Sequence, residues 1–376
     1  MVGILQGGDG SRLFGSLPSQ TNILLDNIRA NTAERFAADK KVIDDAAQAR
    51  SDAIDRENER YISVKAQINN AAIAVQNGQE SADTVRNTLL ELRTSIALAG
   101  QQGEDADLRA AQFDGQVNSI NDEANSMGPL FNLVGAINRN DYTPNQIEYR
   151  NSLGASATTL TGTHIGADYR IKASDGTYWI PDLGTDTIVQ RSDIQGVIQK
   201  TTLSDGTEIE KMASTRNAVK LVSYNEATKD ITLEVTFDPS FPPETVTGKL
   251  EGDGLGLMPA FFYDGLKTAS GRQRAFDAVN KAEVELTSRL TQLTKNAAVV
   301  KKDNQRIDDE LNRLTQDKTK SMVDQLNETE KLQIKVQQQV QAMYYNLETL
   351  SSQQQNYIQA FAGYVKSPFL QISVKA

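Results

Sequence analysis

Residues 61–99 read YISVKAQINNAAIAVQNGQESADTVRNTLLELRTSIALA. Apolar or small side chains recur there at alternating steps of three and four: Tyr61, Val64, Ile68, Ala71, Val75, Gly78, Ala82, Val85, Leu89, Leu92, Ile96 and Ala99. A repeat of about 3.5 residues puts them on one stripe of a helix, the pattern of a coiled coil. Gly78 and the alanines narrow the stripe, so a partner helix can come close. The helix is expected to stop at Gly100 and Gly103. A second, antiparallel helix follows, with Ala106, Ala110, Phe113, Val117, Ile120, Ala124 and Met127 on one face and Gly128-Pro129 as its end.

A matching stripe lies far along the chain. Val279, Leu286, Leu293, Val300, Ile307 and Leu314 are seven apart, with Leu290, Ala297 and Leu311 at the alternate positions. Asn304 and Lys318 fall in the alternate series and weaken it. The stripe then resumes one residue out of phase through Met322, Leu326, Thr329, Gln333, Val336, Val340, Met343, Leu347, Leu350, Gln354, Tyr357 and Phe361. Such a slip predicts a bend or linker near residues 315–322.

Between the helical parts, residues 145–262 read as β structure. DYRIKASDGTYWI and TTLSDGTEIEKM each place a Ser-Asp-Gly turn between alternating residues, and VKLVSYNEATKDITLEVTF alternates on both sides of a polar turn. GDGLGL at 252–257 is superficially like a phosphate loop. No helix start or partner acid accompanies it, so a flexible loop is the simpler reading. The predicted fold is mainly α with a central β insert, built on long antiparallel coiled-coil helices from the N- and C-terminal segments. The expected divisions are 1–43, 44–144, 145–262, 263–318 and 319–376.

Composition narrows the function. The net charge of −10 argues against a nucleic-acid or anionic-membrane binder. With no cysteine there is no disulfide, thiolate catalysis or thiolate metal site. The single histidine, His164, reads as an ordinary residue of the β-rich part, and the single tryptophan, Trp179, as core. The carboxylates Asp44, Asp45, Asp52, Asp55, Glu57 and Glu59 read as a solvated helix face, with an ionic contact to a neighbouring subunit as the alternative. No motif marks a catalytic, cofactor or metal site, so no enzyme activity and no cofactor are expected. The start, MVGILQGGDGSRLFG, has neither the basic region nor the apolar run of a signal peptide. No run approaches the ~18 apolar residues of a membrane span, so no membrane insertion is expected. Export, if it occurs, would use a route that reads something else.

Charge is distributed unevenly. Residues 301–335 carry sixteen charges, whereas 336–361 carry eight glutamines and only Glu348. Residues 1–38 hold three acids and three arginines. Helices so weakly charged are marginal alone in water. Packed on each other and on neighbouring copies, their apolar faces would be buried and their glutamines could bond across subunits. The candidate assembly positions are Leu24 and Ile28 near one end, with Val336, Val340, Met343, Leu347, Leu350, Tyr357 and Phe361 near the other. A plain intramolecular hairpin is the rival reading.

These segments resemble the flagellin family, which includes the flagellar filament protein and the related hook–filament junction protein. Asp44-Asp45-Ala46-Ala47 resembles the family's Asp-Asp-Ala-Ala. TLLELRTSIALAGQQGEDADLRAAQFDGQVNSINDEANSMGPLFN resembles its Leu-x-x-Val-Arg-Glu-Leu-Ala-x-Gln-Ala segment with the turn, Asp-Leu helix start and Phe-Asn exit that follow. Leu89, Leu92, Arg93, Ala99, Asp107, Leu108, Phe131 and Asn132 match. NRLTQDKTKSMVDQLNETEKLQIKVQQQ resembles its Ser-Arg-Ile-Glu-Asp segment and glutamine-rich helix. The chain departs at Thr94, where the family has Glu, at VIDD, where it has a Leu-Ser-Ser-Gly-like turn, and at the SPFLQISVKA end. The resemblance covers the helical parts and not the insert. It implies a polymer whose inner tube is made of the terminal helices. The rod seam outside it would run through Val75, Val85, Leu89, Leu92, Ile96, Leu286, Leu290, Leu293, Val300, Ile307 and Leu311. The insert would lie on the surface and tolerate change.

The expected function is therefore a structural subunit of the bacterial flagellar filament, a self-associating homopolymer for motility. It would be exported unfolded through the flagellar type III apparatus to an extracellular place in the flagellum. An export chaperone and a filament cap are its other implied partners. The alternatives are the hook–filament junction protein, a needle-tip or translocator protein of an injection apparatus, and an enzyme or lectin carried by the β part.

Overall fold

The computed structural model describes residues 19–103, 105–126, 128, 131–138, 142–154, 156–182, 185–202, 206–239 and 242–365. Residues 1–18 and 366–376 of the expected end segments, and Met127 and Pro129, lie outside them. A long first helix, α1 (Ser19–Leu98), and a long last helix, α3 (Ala269–Val365), enclose a shorter helix, α2 (Ala106–Asn125), and the β structure. The mainly helical architecture with a central β insert is as the sequence predicts. The chain forms two compact units, one of residues up to Glu59 and from Leu311, the other of Arg60–Glu310.

In the 60–310 unit the periodic stripe is the core. Val64, Ile68, Ala71, Val75, Ala82, Val85, Leu89, Leu92 and Ile96 are buried on α1, with Gly78 among them and Ala99 just past its end; Tyr61 is half-buried. On α3, Val279, Leu286, Leu293, Val300 and Ile307 are buried, with Leu290 and Ala297 half-buried between them. The two lengths run antiparallel, since bonded partners fall along α3 as they rise along α1. Lys65 pairs with Asp308 at 2.5 Å, Asn304 donates to Asn69 at 3.5 Å, and Arg93 reaches Asn280 at 2.6 Å and Glu283 at 2.5 Å. Gly78 earns its place in the stripe: a Cβ there would sit 3.5 Å from both Leu293 methyls and 3.3 Å from Val134. The missing side chain is what lets Leu293 lie against the α1 backbone.

Each fully buried Leu or Ile of this seam contributes ~1.5–3 kcal/mol of transfer free energy. Leu293→Ala is expected to cost ~2–5 kcal/mol, because a close-packed site cannot fully collapse around the lost atoms. Met322→Ala, on an exposed turn of α3, should cost under ~0.5 kcal/mol. Urea unfolding followed by helical circular dichroism measures both. Equal costs would show that the stripe is not the core.

Helix α2 starts where Asp105 caps it, accepting from the Asp107 and Leu108 amides at 2.9 and 3.4 Å. Phe113, Val117, Ile120 and Ala124 are buried on one face.

The β structure opens with three short strands, β1 (Ala136–Asn138), β2 (Thr143–Pro144) and β3 (Gln146–Arg150), and then β4 (Ala157–Thr161). β1 pairs with β2 and β3 with β4, giving two two-stranded ribbons. Next come β5 (Tyr169–Ala173), β6 (Tyr178–Asp182), β7 (Thr187–Arg191), β8 (Lys200–Thr202), β9 (Glu208–Glu210), β10 (Met212–Ser214), β11 (Val219–Tyr224), β12 (Asp230–Val235) and β13 (Glu244–Gly252). Seven of these form an antiparallel sheet ordered β10-β7-β6-β5-β13-β12-β11, while β8 and β9 make a ribbon of their own. The three expected hairpins are β5–β6, β8–β9 and β11–β12. Trp179 is fully buried and stacks on Phe237 at 5.7 Å.

Two expectations need correction. GDGLGL is not a flexible loop. Leu255 and Leu257 are buried, the Leu255 amide donates to the Gly166 carbonyl at 2.7 Å, and the Asp253 amide donates to that of Asp168 at 3.3 Å. Gly252 and Gly254 are there for close packing, since a Cβ at either would sit 3.0 Å or less from a backbone carbonyl oxygen. Nor is there a linker near 315–322. Helix α3 is unbroken from Ala269 to Val365, because nothing in that stretch lacks a backbone donor or clashes with the preceding turn.

Candidate assembly surface

The unit made from residues 19–59 and 311–365 is two antiparallel helix lengths. The contacts that set their register are polar. Arg29 donates to the Tyr344 hydroxyl at 2.7 Å and lies over its ring at 5.8 Å. Gln325 donates to Asp44 at 2.9 Å, Lys318 grips both Asp55 oxygens at 2.6 and 2.9 Å, and Arg313 approaches Glu57 at 3.7 Å. The acidic run of α1 therefore meets cations and amides of its own chain as well as water. Hydrogen bonds from Lys40 and then Gln325 hold the Asp44 carboxyl below its usual range. A lowered acid adds stability that is present above the ordinary carboxylate range and is lost as pH falls from there through the lowered value.

Such exposed pairs contribute only ~0–1 kcal/mol each. Apolar burial adds little beside them. Among the described hydrophobic residues of this unit only Leu25, Ala47 and Leu314 are buried. Twelve large ones are exposed: Ile23, Leu24, Val42, Met322, Val323, Leu326, Ile334, Met343, Tyr345, Leu350, Tyr357 and Ile358.

The expected out-of-phase stripe is therefore split. Thr329, Gln333, Val336, Val340 and Leu347 are half-buried, as are Leu311 of the earlier seam and Ile28 of α1. Met322 and Leu326, expected in the same stripe, are 52% and 69% exposed. Asp324 and Gln325 take the inward turn instead, because the earlier heptad phase continues through Leu314, Lys318 and Ser321. Leu24, Met343, Leu350 and Tyr357 are exposed, and every residue from Ser352 to Ala360 is exposed. Of Phe361 only the helical backbone is described.

Of the other positions picked out in the sequence, Asp45 is exposed. Arg93, held by Asn280 and Glu283, also lies 5.8 Å over the Phe276 ring. Asp107 pairs with Lys267 at 2.7 Å, while Leu108 and Phe131 are exposed. Asn132 is buried: it donates to the Ala124 carbonyl at 2.8 Å and accepts from the Val134 amide at 2.6 Å. It fixes the exit of the chain from α2.

Sequence reasoning missed the polar groups that tie the insert to the helices of the 60–310 unit. Arg289 of α3 donates to the carbonyls of His164 and Gly254 at 2.6 and 3.1 Å and to Glu285 at 2.8 Å. Buried Asp303 accepts from the Tyr149 and Thr158 hydroxyls at 2.9 and 3.1 Å. Asn296 donates to the Thr161 carbonyl at 2.9 Å, and Asn121 of α2 accepts from the Ala167 amide. His164, fully buried, has its Nε2 3.0 Å from Asp168 and stacks on Tyr142. No period announces such residues, since each acts alone.

Among the described residues no cluster of three or more His, Asp or Glu side chains is placed to hold a metal ion. No described helix is long and apolar enough to cross a membrane. No protein-family model matches the chain, and no curated protein matches it. Solved structures with a partly similar arrangement include FlgL of Xanthomonas campestris, 13% identical with a TM-score of 0.32, covering 76% of this chain and 99% of that one. Another is flagellar hook associated protein-3 from Legionella pneumophila, 12% identical with a TM-score of 0.33, covering 77% of this chain and 98% of that one. A third is the flagellar junction protein FlgL from Legionella pneumophila, 13% identical with a TM-score of 0.28, covering 76% of this chain and 99% of that one.

Proposed function

We propose that this chain is a non-enzymatic structural subunit of the bacterial flagellum, of the flagellin-like kind, and that its place is the junction between hook and filament. The observation that carries the structural reading is the apolar face of the 19–59/311–365 unit. A helix pair held by exposed polar contacts and showing twelve large hydrophobic side chains to water is a surface prepared for other subunits. The charge-poor, glutamine-rich stretch 336–361 serves the same end, since its amides can bond across an interface without desolvating charges. The ordered resemblances at Asp44-Asp45, Leu89–Ala99, Asp107-Leu108 and Phe131-Asn132 supply the flagellar identity. In this role the chain leaves the cell by the flagellar type III route, with a chaperone before export and a cap after it as its partners.

Immunogold labelling of intact appendages decides between the two places. Label confined to a short collar beyond the hook is the expected result. Label along the whole length would make the chain a filament subunit, and no label would remove it from the flagellum.

A further inference from the structure

A small cavity of about 10 Å³ lies in the 60–310 unit, where α2 meets the turn between β6 and β7. Asp114 and Asn118 of α2, Tyr169 of β5, Asp182 at the end of β6, Asp186 just before β7, and Thr215 line it. One Asp114 oxygen accepts from the Ala260 amide at 2.6 Å, at the start of the turn that leads into α3. Asp186 is engaged by Arg216 and by Asn118, the latter at 3.3 Å. The Tyr169 hydroxyl is buried and has no hydrogen-bond partner among the described residues. Asp114 is itself 4% exposed. A carboxylate here is repelled by Asp186, with the Arg216 guanidinium acting against that repulsion. A carboxylic acid would relieve that repulsion, keep the Ala260 bond on one oxygen and bring an O–H donor to a wall that holds an unsatisfied hydroxyl.

We propose that this cavity is a proton-binding site at which Asp114, by taking up a proton, stabilises the packing of α2 against the β6–β7 end of the sheet. Burial, the largest influence, pushes the Asp114 carboxyl up to about 6; the Ala260 amide draws it down, Asp186 raises it and Arg216 lowers it. An acid held protonated more firmly in the folded chain adds stability that is complete below its unfolded range and is lost as pH rises through about 6. The inference stands apart from any flagellar role.

The test uses the full chain unfolded in urea from mildly acid to mildly alkaline pH, read by the fluorescence of Trp179. Asp114→Asn keeps an acceptor for Ala260 and a donor for the wall without the charge. The unfolding constant of the wild type relative to this variant is expected to rise roughly ten- to a hundredfold from acid to alkaline pH. Arg216→Gln removes the cation that favours the carboxylate, so the fall in stability should continue to higher pH. Parallel profiles for the wild type and Asp114→Asn overturn the proposal. If Asp114→Asn does not fold, an unmoved profile in Arg216→Gln overturns it instead.

Discussion

Removal of residues 340–376 leaves a folded chain that no longer associates with itself. The deleted stretch includes Met343, Tyr345, Leu350, Tyr357 and Ile358, all exposed, and Tyr344, the partner of Arg29. Each apolar side chain buried between subunits is worth ~1.5–3 kcal/mol, so five of them outweigh the cost of immobilising a neighbour. The 60–310 seam and Trp179 belong to a different compact unit from this stretch. Its fluorescence and urea midpoint should therefore match those of the full chain. Sedimentation velocity across a concentration series gives the answer. The full chain should shift to larger species with concentration and the truncated chain should stay monomeric. Equal association would place the assembly surface elsewhere. Hydrogen exchange on the dilute full chain adds an independent view. Amides of 336–360 should exchange far faster than those of 279–307, since helix lengths without a buried face open easily.

The sequence stripes could be read because a helix seam repeats. Twelve positions from Tyr61 to Ala99 vote for one phase, and no single residue has to be understood. The β5–β6, β8–β9 and β11–β12 hairpins were legible for a related reason: alternation on two sides of a polar turn leaves few other pairings. The phase of α3 past Leu314 was not legible. There the apolar residues Met322 and Leu326 suggest one face, and only the amides and charges of the facing helix select the other. Gln325 meets Asp44 and Lys318 meets Asp55, so the inward turn is polar. Hydrophobic periodicity has no means of seeing a polar seam. The candidate assembly stretch is marked in the sequence by missing charge, but which of its side chains stay open, such as Leu24 and Leu350 rather than Leu25 and Leu347, depends on that phase. The clasp of Arg289, Asn121, Asn296 and Asp303 was invisible, because each partner is a backbone group or hydroxyl far away in sequence.

That clasp also limits the expectation that the insert tolerates change, and Gly254→Ala is where the limit should be sharpest. Gly254 has φ +85°, a backbone state that costs an L-residue ~1–2 kcal/mol. An alanine Cβ would also sit 1.9 Å from the Gly166 carbonyl oxygen, a distance no side chain can hold. The Gly166 segment cannot simply retreat. It carries buried His164, its Gly166 carbonyl takes the Leu255 amide at 2.7 Å, and the next amide, Ala167, is bound to Asn121. Moving Gly254 instead breaks its carbonyl's 3.1 Å bond from Arg289. Strain and a broken buried bond together should cost more than ~3 kcal/mol. Gly256→Ala is the control, for Gly256 has φ +67° and open space where a Cβ would go. It should lose only the ~1–2 kcal/mol of the backbone state. Urea midpoints read from Trp179 separate the two variants. If they unfold together, the close approach of Gly254 to Gly166 does not hold the insert to the helices.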